Sequence, residues 1–397
     1  MKSGVDQSNL GEPGSPARLE QQLRELPEDC RKLLDEHHFR PEQLLRLARR
    51  LHEPGQDVNR VKGRVTPCAP EDLVRLPEPG TPEAQRLREL GEEALRKGQC
   101  ALVVLAGGMA TRMGGVVKAL VEAVPGHTFL DLRLQEAESH RARHGAPAPL
   151  WLMTSHTTAG PTIEAIGSRL DGYSVATFPQ FLSLRLTPDG QVFRDAQGQP
   201  SVHSPGHGDL PDALKQSGLL DRFIAEGGRL VMVTNLDNLG GGLDPMVVGF
   251  HLAGNAAVTC EVADKVPGDR GGIPVRVDDR PVVLEEFRLP EDFDPTSVSV
   301  FSVNTFTFDA KALQQLSLDW TYCTVEKKVE GSPVIQFERI INEVTFALPT
   351  RYLHVTRTGT GSRFLPVKDY DELERRRPEI MAVARERGML PPGSQHS

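Results

Sequence analysis

The run Leu105-Ala106-Gly107-Gly108-Met109-Ala110-Thr111-Arg112-Met113-Gly114-Gly115, with Lys118 just beyond it, has the residue types of a phosphate cradle. An apolar stretch, Ala101 to Leu105, leads straight into it. Paired glycines let backbone N–H groups converge on an anion with no side chain in the way. Arg112 and Lys118 add the positive charge that a transferring phosphate needs. Spacing excludes two common cradles. A Walker A loop requires Gly-Lys-Ser/Thr, whereas Lys118 follows Val117 and precedes Ala119. A dinucleotide fingerprint requires Gly-x-Gly-x-x-Gly, and glycines at 107, 108, 114 and 115 do not form it.

Composition narrows the ligand class. The 397 residues carry a formal net charge of -8, which argues against a nucleic-acid surface. Aromatic residues are only 5% of the chain, which weakens any model of base stacking on single strands. The five cysteines (Cys30, Cys68, Cys100, Cys260 and Cys323) form no Cys-x-x-Cys pair. Neither a zinc site nor a disulfide framework is therefore supported, and a cytoplasmic location is expected. Met1 to Arg18 is polar and lacks the apolar core of a signal peptide. No apolar run is long enough to span a bilayer, so no membrane partner is expected.

The elements that must position the loop follow from periodicity. Residues 1–16 and 391–397 are expected to be disordered tails, by composition. Residues 17–98 read as a helical N-terminal extension. Leucines recur at helical spacing from Leu19 to Leu47, Pro27 and Pro41 mark helix starts, and Thr81-Pro82-Glu83 caps a helix to Lys97. The Pro-rich stretch from Gly55 to Gly80 is expected to wrap the surface. Residues 99–350 alternate strand-length apolar runs with amphipathic stretches. Strands are expected at Ala101–Ala106, Leu150–Thr154, Arg229–Asn235, Ala257–Val262, Val298–Phe308 and Tyr352–Val355. Helices are expected at about 128–144, 160–170, 209–226, 244–254, 309–317 and 333–346. Hairpins are expected around Thr187-Pro188-Asp189-Gly190 and around Asp278-Asp279. Residues 351–390 form a short C-terminal segment. This alternation predicts an α/β fold, a three-layer α/β/α Rossmann-like core on a mostly parallel mixed sheet.

Further segments match one family in order along the chain. They are Phe178-Pro179-Gln180-Phe181, Ser204-Pro205-Gly206-His207-Gly208-Asp209, Thr234-Asn235-Leu236-Asp237-Asn238-Leu239-Gly240, Leu284-Glu285, Asn304, Gln336-Phe337-Glu338, and Ser362-Arg363-Phe364-Leu365-Pro366-Val367-Lys368. With the glycine loop, they resemble the UTP–glucose-1-phosphate uridylyltransferases (UDP-glucose pyrophosphorylases) and their UDP-N-acetylhexosamine relatives. The matches run from about Val65 to Leu373.

The resemblance implies nucleotidyl transfer. An oxygen of glucose 1-phosphate attacks the α-phosphorus of UTP, pyrophosphate leaves, and UDP-glucose forms. Two anionic reactants meet, so the protein must position them and supply cations, Mg²⁺ included. By resemblance, Lys118, Lys368 and Arg112 are catalytic. Leu105, Ala106, Gly107, Gly108, Thr111, Gln180 and Gly206 bind the nucleotide, with Gln180 reading uracil. His207, Asn235, Glu285 and Asn304 bind the sugar phosphate, and Asp237 binds Mg²⁺. Gln336-Phe337-Glu338 is expected on a helix as structural support. His37, His38, His140 and His144 sit in charged helical contexts and receive no role.

The chain also departs from the family pattern. Val116-Val117-Lys118 stands where Gly-Pro-Lys is usual, and Ala110 replaces a glycine. A loop shifted by about an ångström can cost roughly 100-fold in rate. Arg112 matches the hexosamine branch, whereas Pro-Gly-His-Gly-Asp and Asn-Leu-Asp-Asn-Leu-Gly match the glucose branch. The alternatives are a UDP-N-acetylhexosamine or broad-specificity UDP-sugar pyrophosphorylase, and a UDP-sugar-binding protein without turnover. A monomer or small homo-oligomer is expected.

Overall fold

The computed structural model describes residues 16–51 and 59–390. The two expected tails lie outside the described residues, apart from Pro16. The chain divides into two discontinuous units. The smaller comprises Met1–Arg60, Gln180–Asp209 and Trp320–Ile341; the larger comprises Val61–Pro179, Leu210–Asp319 and Asn342–Ser397.

The larger unit is built on a mixed eight-stranded sheet. Its order is Leu73–Arg75, Thr350–His354, Val258–Asp264, Val300–Asp309, Leu230–Asn235, Cys100–Leu105, Leu150–Thr154, Val175–Pro179. Val300–Asp309 is antiparallel to both its neighbours, and every other pairing is parallel. The central strands are mostly apolar on both faces and buried up to the part-buried Leu105 and Asn235 at their ends, as expected when helices cover both sides. Cys100–Leu105 lies beside Leu230–Asn235 in parallel register, with Leu105 opposite Asn235. The glycine loop and the Asn-Leu-Asp-Asn loop therefore leave the sheet side by side, at the strand ends where α/β folds bind ligands. Helices start where capping predicts. The Thr81 side chain accepts from Ala84 N at the start of Pro82–Arg96, and Thr128 and Asp131 form a capping box for Phe129–His144.

The smaller unit packs three helices, α1 (Pro16–Arg24), α2 (Glu28–Glu36) and α3 (Pro41–Arg50), on irregular β structure. Its core joins Leu19, Leu26, Leu34, Leu44 and Leu47 to Leu182, Leu184, Leu186, Ile335 and Phe337.

Several expectations are corrected. Residues 333–346 are not one helix. Ser332–Glu338 is a strand antiparallel to Cys323–Val329, so Gln336, Phe337 and Glu338 lie on a hairpin. Glu330 and Gly331 both have positive φ, which makes the tight hairpin turn, and β-branched Val334 and Ile335 favour the strand. Of the Pro-rich stretch 55–80, residues 55–58 lie outside the described residues; the rest does more than wrap the surface, since Leu73–Arg75 is an edge strand of the main sheet and Val65–Pro67 joins a second one. The expected helix at 209–226 is two, Leu210–Gln216 and Leu219–Ala225, broken where Gly218 takes φ 74°. The helix expected at 160–170 ends at Ile166, before Gly167 with φ 58°. A C-terminal helix, Tyr370–Glu386, was not anticipated; its signal is Asp369, whose carboxylate accepts from Glu372 N. Thr187–Gly190 does turn back, with Gly190 N donating to Thr187 O, Leu186 bridging Val192 and Phe193 N donating to Arg185 O; Ser183–Leu184 pairs in addition with Val202–His203.

Candidate active site

The glycine loop is a small hairpin. Ala106 is held from both sides, since its N donates to Met153 O (2.8 Å) and its O accepts from Thr158 Oγ1 (3.0 Å). Beyond Gly107 and Gly108, Met109–Ala110 pairs antiparallel with Val116–Val117. Thr111 and Arg112 sit on the 3₁₀ turn between these strands and are exposed. Lys118 N donates to Gly108 O (3.3 Å), so the lysine returns to the base of the loop. Arg112 makes no ion pair or side-chain hydrogen bond among the described residues.

Lys118 and Asp237 meet directly. Lys118 Nζ donates to Asp237 Oδ2 at 2.6 Å, with both side chains mostly buried. The same carboxylate oxygen accepts from Val367 N at 3.2 Å. Asp237 Oδ1 has no partner among the described residues. Its neighbour Asn238 is fully buried and fastens the C-terminal motif: Oδ1 accepts from Leu365 N (2.8 Å), and Nδ2 donates to Arg363 O (3.1 Å) and Thr305 Oγ1 (3.3 Å). Gly240 must be glycine for the same packing, because a Cβ there would sit 2.6 Å from Arg363 C and 2.7 Å from Ser362 O. Arg363 itself forks onto Glu261, with two bonds of 2.6 Å. Arg133 braces the loop from below, donating to Asn238 O at 2.6 Å and to Asn235 O at 3.3 Å.

Lys368 is not brought to Asp237; the backbone N of Val367 is. The Lys368 side chain is exposed and lines a groove with Asp269, Arg357, Glu372 and Arg376, and its ammonium has no partner among the described residues.

Asn235 and Asn304 also meet. Asn304 Nδ2 donates to Asn235 Oδ1 at 2.8 Å. Asn304 takes φ 55°, a left-handed backbone inside a strand, where the register with Val258–Asp264 shifts between Cys260 and Val262. A non-glycine residue held there costs on the order of 1–3 kcal/mol, and such strain clusters at functional sites. Glu285 closes its strand and accepts from Asn342 Nδ2 (2.6 Å). Burial, reinforced by nearby Glu286, raises its pKa to about 6.

The remaining candidates lie on the smaller unit. Gln180 is buried, and its Nε2 donates to Gly206 O at 3.2 Å. The amide is thereby oriented, with Oε1 left as a free acceptor among the described residues. Gly206 has φ 105°, and a Cβ on it would lie 2.7 Å from Arg339 O. His207 Nδ1 accepts from Ile341 N (3.1 Å), which puts the ring proton on Nε2. Burial lowers the His207 pKa to about 4, so the ring is a neutral donor at pH 7. Asp209 anchors this loop. It pairs with the buried Arg339 guanidinium and accepts from Phe181 N at 3.2 Å. Sequence reasoning missed Arg133, Asn238, Arg339 and Asn342. Only Asn238 had a signal, its place within Asn-Leu-Asp-Asn-Leu-Gly.

The model of the UTP–glucose-1-phosphate uridylyltransferase family matches residues 56–388. The chain belongs to that family. A uridylyltransferase of this name from Encephalitozoon cuniculi is 28% identical over 323 residues, covering 77% of this chain and 62% of the relative. The one from Hordeum vulgare is 31% identical over 291 residues, covering 68% and 60%. The chain thus spans about three-fifths of these relatives' length. Among solved structures, a UDP-glucose phosphorylase from Trypanosoma brucei superposes with TM-score 0.69 at 22% identity, covering 91% of this chain and 78% of that one. A UDP-N-acetylglucosamine pyrophosphorylase from the same organism gives 0.64 at 19%, covering 78% and 72%. At these identities the likeness shows the fold, the nucleotidyltransferase core expected from the alternating elements.

Proposed function

We propose that this chain transfers a uridylyl group from UTP to glucose 1-phosphate, releasing pyrophosphate and forming UDP-glucose. The observation that carries this reading is the Lys118–Asp237 pair, a cation and a carboxylate at 2.6 Å where a glycine loop leaves the sheet. Lys118 supplies positive charge to the phosphates, and exposed Arg112 extends it along the loop. Asp237 fits Mg²⁺ held as that ion is usually held, by one or two protein carboxylates with phosphate oxygens and water. Its Oδ1 is open, and no cluster of three or more His, Cys, Asp or Glu suited to an all-protein cage occurs among the described residues. Bound there, Mg²⁺ would neutralise triphosphate charge.

Gln180 Oε1 is an acceptor suited to the N3–H of uracil, which neutral cytosine lacks. His207 Nε2–H donates to the sugar phosphate. Asn235, Asn304 and ionised Glu285 take sugar hydroxyls. Arg112 favours N-acetylglucosamine 1-phosphate as a second sugar substrate. All five cysteines are free thiols, which supports a reducing, cytoplasmic setting. No helix among the described residues is long and apolar enough to cross a membrane.

Pyrophosphate release from UTP tests the proposal directly. Release is expected only with a sugar 1-phosphate and a divalent cation, with glucose 1-phosphate ahead of N-acetylglucosamine 1-phosphate. Equal rates in chelator would remove the metal from the mechanism. No release with any sugar 1-phosphate, alongside UDP-glucose binding by calorimetry, would replace turnover by binding alone.

A further inference from the structure

We propose that the corner between α2 and α3 sets nucleotide choice, with His37 as the positioning residue of Gln180. The proposal rests on the reading of Gln180 as the uracil contact.

His37 is the C-cap of α2, and the chain reverses through His38, whose φ is 55°. Phe39 N donates back to Leu34 O (2.9 Å) and closes the helix end. The reversal aims His37 at the segment Gln180–Leu182. His37 Nδ1 lies 3.0 Å from Gln180 O; a carbonyl only accepts, so the ring nitrogen carries the proton. Leu182 N in turn donates to His37 O at 3.2 Å. These two bonds straddle Phe181. A third tie joins Phe181 N to Asp209 Oδ2 at 3.2 Å. The Phe181 ring meets the His38 ring edge-on at 5.6 Å, with the Arg339 and Arg40 guanidiniums 5.1 and 5.7 Å from its centroid.

Gln180 is therefore held at three atoms: its main-chain carbonyl oxygen, the N–H at the other end of that same peptide, and its side-chain amide on Gly206 O. One of the three comes from a helix corner far away in sequence. The helices on both sides of that corner are anchored in the core. Leu34 and Leu44 are 1% and 2% exposed and share a core with Leu182 and Leu184. A left-handed histidine is tolerated more readily than most residues, and it persists only where packing over-determines it.

A purely structural helix corner needs only the His37 backbone carbonyl, which any residue provides. The contact to Gln180 O needs the ring. Substitution at position 37 therefore separates positioning from packing. Asparagine keeps a side-chain N–H donor, and alanine does not.

The experiment compares the full-length parent with His37→Ala, His37→Asn, Gln180→Ala and the His37→Ala/Gln180→Ala double variant. It reads kcat and KM for UTP and CTP, and calorimetric binding of both nucleotides provides the same comparison without turnover. His37→Ala is expected to raise the KM for UTP about five- to tenfold with kcat within about twofold, and to narrow the UTP-over-CTP preference by a similar factor. His37→Asn is expected to restore most of it. In the Gln180→Ala background, His37→Ala should narrow the preference no further.

An unchanged preference in His37→Ala, while Gln180→Ala narrows it, overturns the positioning role and leaves the uracil reading standing. So does narrowing that persists undiminished in the double variant, or equal loss in His37→Asn. An unchanged preference in Gln180→Ala overturns the uracil reading itself, and His37 falls with it. Should His37→Ala fail to fold, His37→Leu and His37→Asn carry the same comparison, with thermal melting confirming that both are folded.

Discussion

Replacing Asn238 by alanine tests how the C-terminal motif is tied to the site. Asn238 is fully buried and forms three bonds: it accepts from Leu365 N and donates to Arg363 O and Thr305 Oγ1. Alanine leaves an amide N–H and a carbonyl buried without their partner. Each such group costs about 1–3 kcal/mol, and some relaxation is available, so we expect about 2–4 kcal/mol of lost stability. That is a large share of the roughly 5–15 kcal/mol that holds a typical domain folded.

Activity should fall too. Two residues beyond Leu365, Val367 N donates to Asp237 Oδ2, the oxygen that also binds Lys118. A loosened segment lets that carboxylate shift, and an ångström can cost roughly 100-fold in rate. The assay is urea unfolding followed by circular dichroism and tryptophan fluorescence, paired with pyrophosphate-release kinetics. The informative contrast is Lys368→Ala, since that ammonium has no partner among the described residues and its loss should leave stability within about 0.5 kcal/mol. If Asn238→Ala unfolds within about 0.5 kcal/mol of the parent, the motif is not held as described, and the reasoning fails.

The other predictions concern the lysines and pH. Lys118→Ala should lower kcat by about 100-fold or more, with a smaller effect on UTP binding, because its charge is needed most in the transition state. Lys368→Ala should leave kcat near that of the parent, because its ammonium lines a separate groove while Val367 N meets Asp237. A near-normal kcat in Lys368→Ala would show that the segment acts through Val367 N alone. Glu285, with its pKa raised to about 6, should bind sugar hydroxyls as a carboxylate, so the KM for glucose 1-phosphate should fall as pH rises through about 6. A pH-independent KM between 5 and 7 would remove Glu285 from sugar binding.

Stability should run the same way with pH. Burial lowers the pKa of His203 to about 3 and of His207 and His251 to about 4. The unfolded chain takes up protons below about 6.5 that the folded one refuses, so stability drops by about 1.4 kcal/mol per pH unit per histidine from there toward pH 4. Glu285 opposes this between about 4.5 and 6, since its folded form keeps the proton longer, but one group does not offset three. A urea midpoint at pH 5 equal to that at pH 7 would contradict the account.

What the sequence determined by itself was whatever depends on neighbours along the chain. The Ala101–Leu105 run, the glycines after it, and Thr81 and Thr128 as helix caps are local statements, and backbone sterics and capping enforce them wherever they occur. The alternation of strand and helix followed, and with it the sheet that sets Asp237 beside Lys118. Tertiary structure decided what depends on residues far apart.

Asn304 looked like a polar residue in an apolar strand. Only the register shift against Val258–Asp264 and the bond to Asn235 make it a strained site residue. Gln336–Glu338 had a pattern that suited a helix, and the turn at Glu330-Gly331 folded it back as a strand. The Arg-Phe-Leu-Pro-Val-Lys segment suggested its lysine, yet Asn238 grips its backbone and presents the Val367 amide to Asp237. His37 showed nothing in its own helix, and it is tied to Gln180 across 143 positions. A hydrogen bond of that kind leaves no periodic trace, because either partner would sit equally well on a solvated surface until the fold brings the other against it.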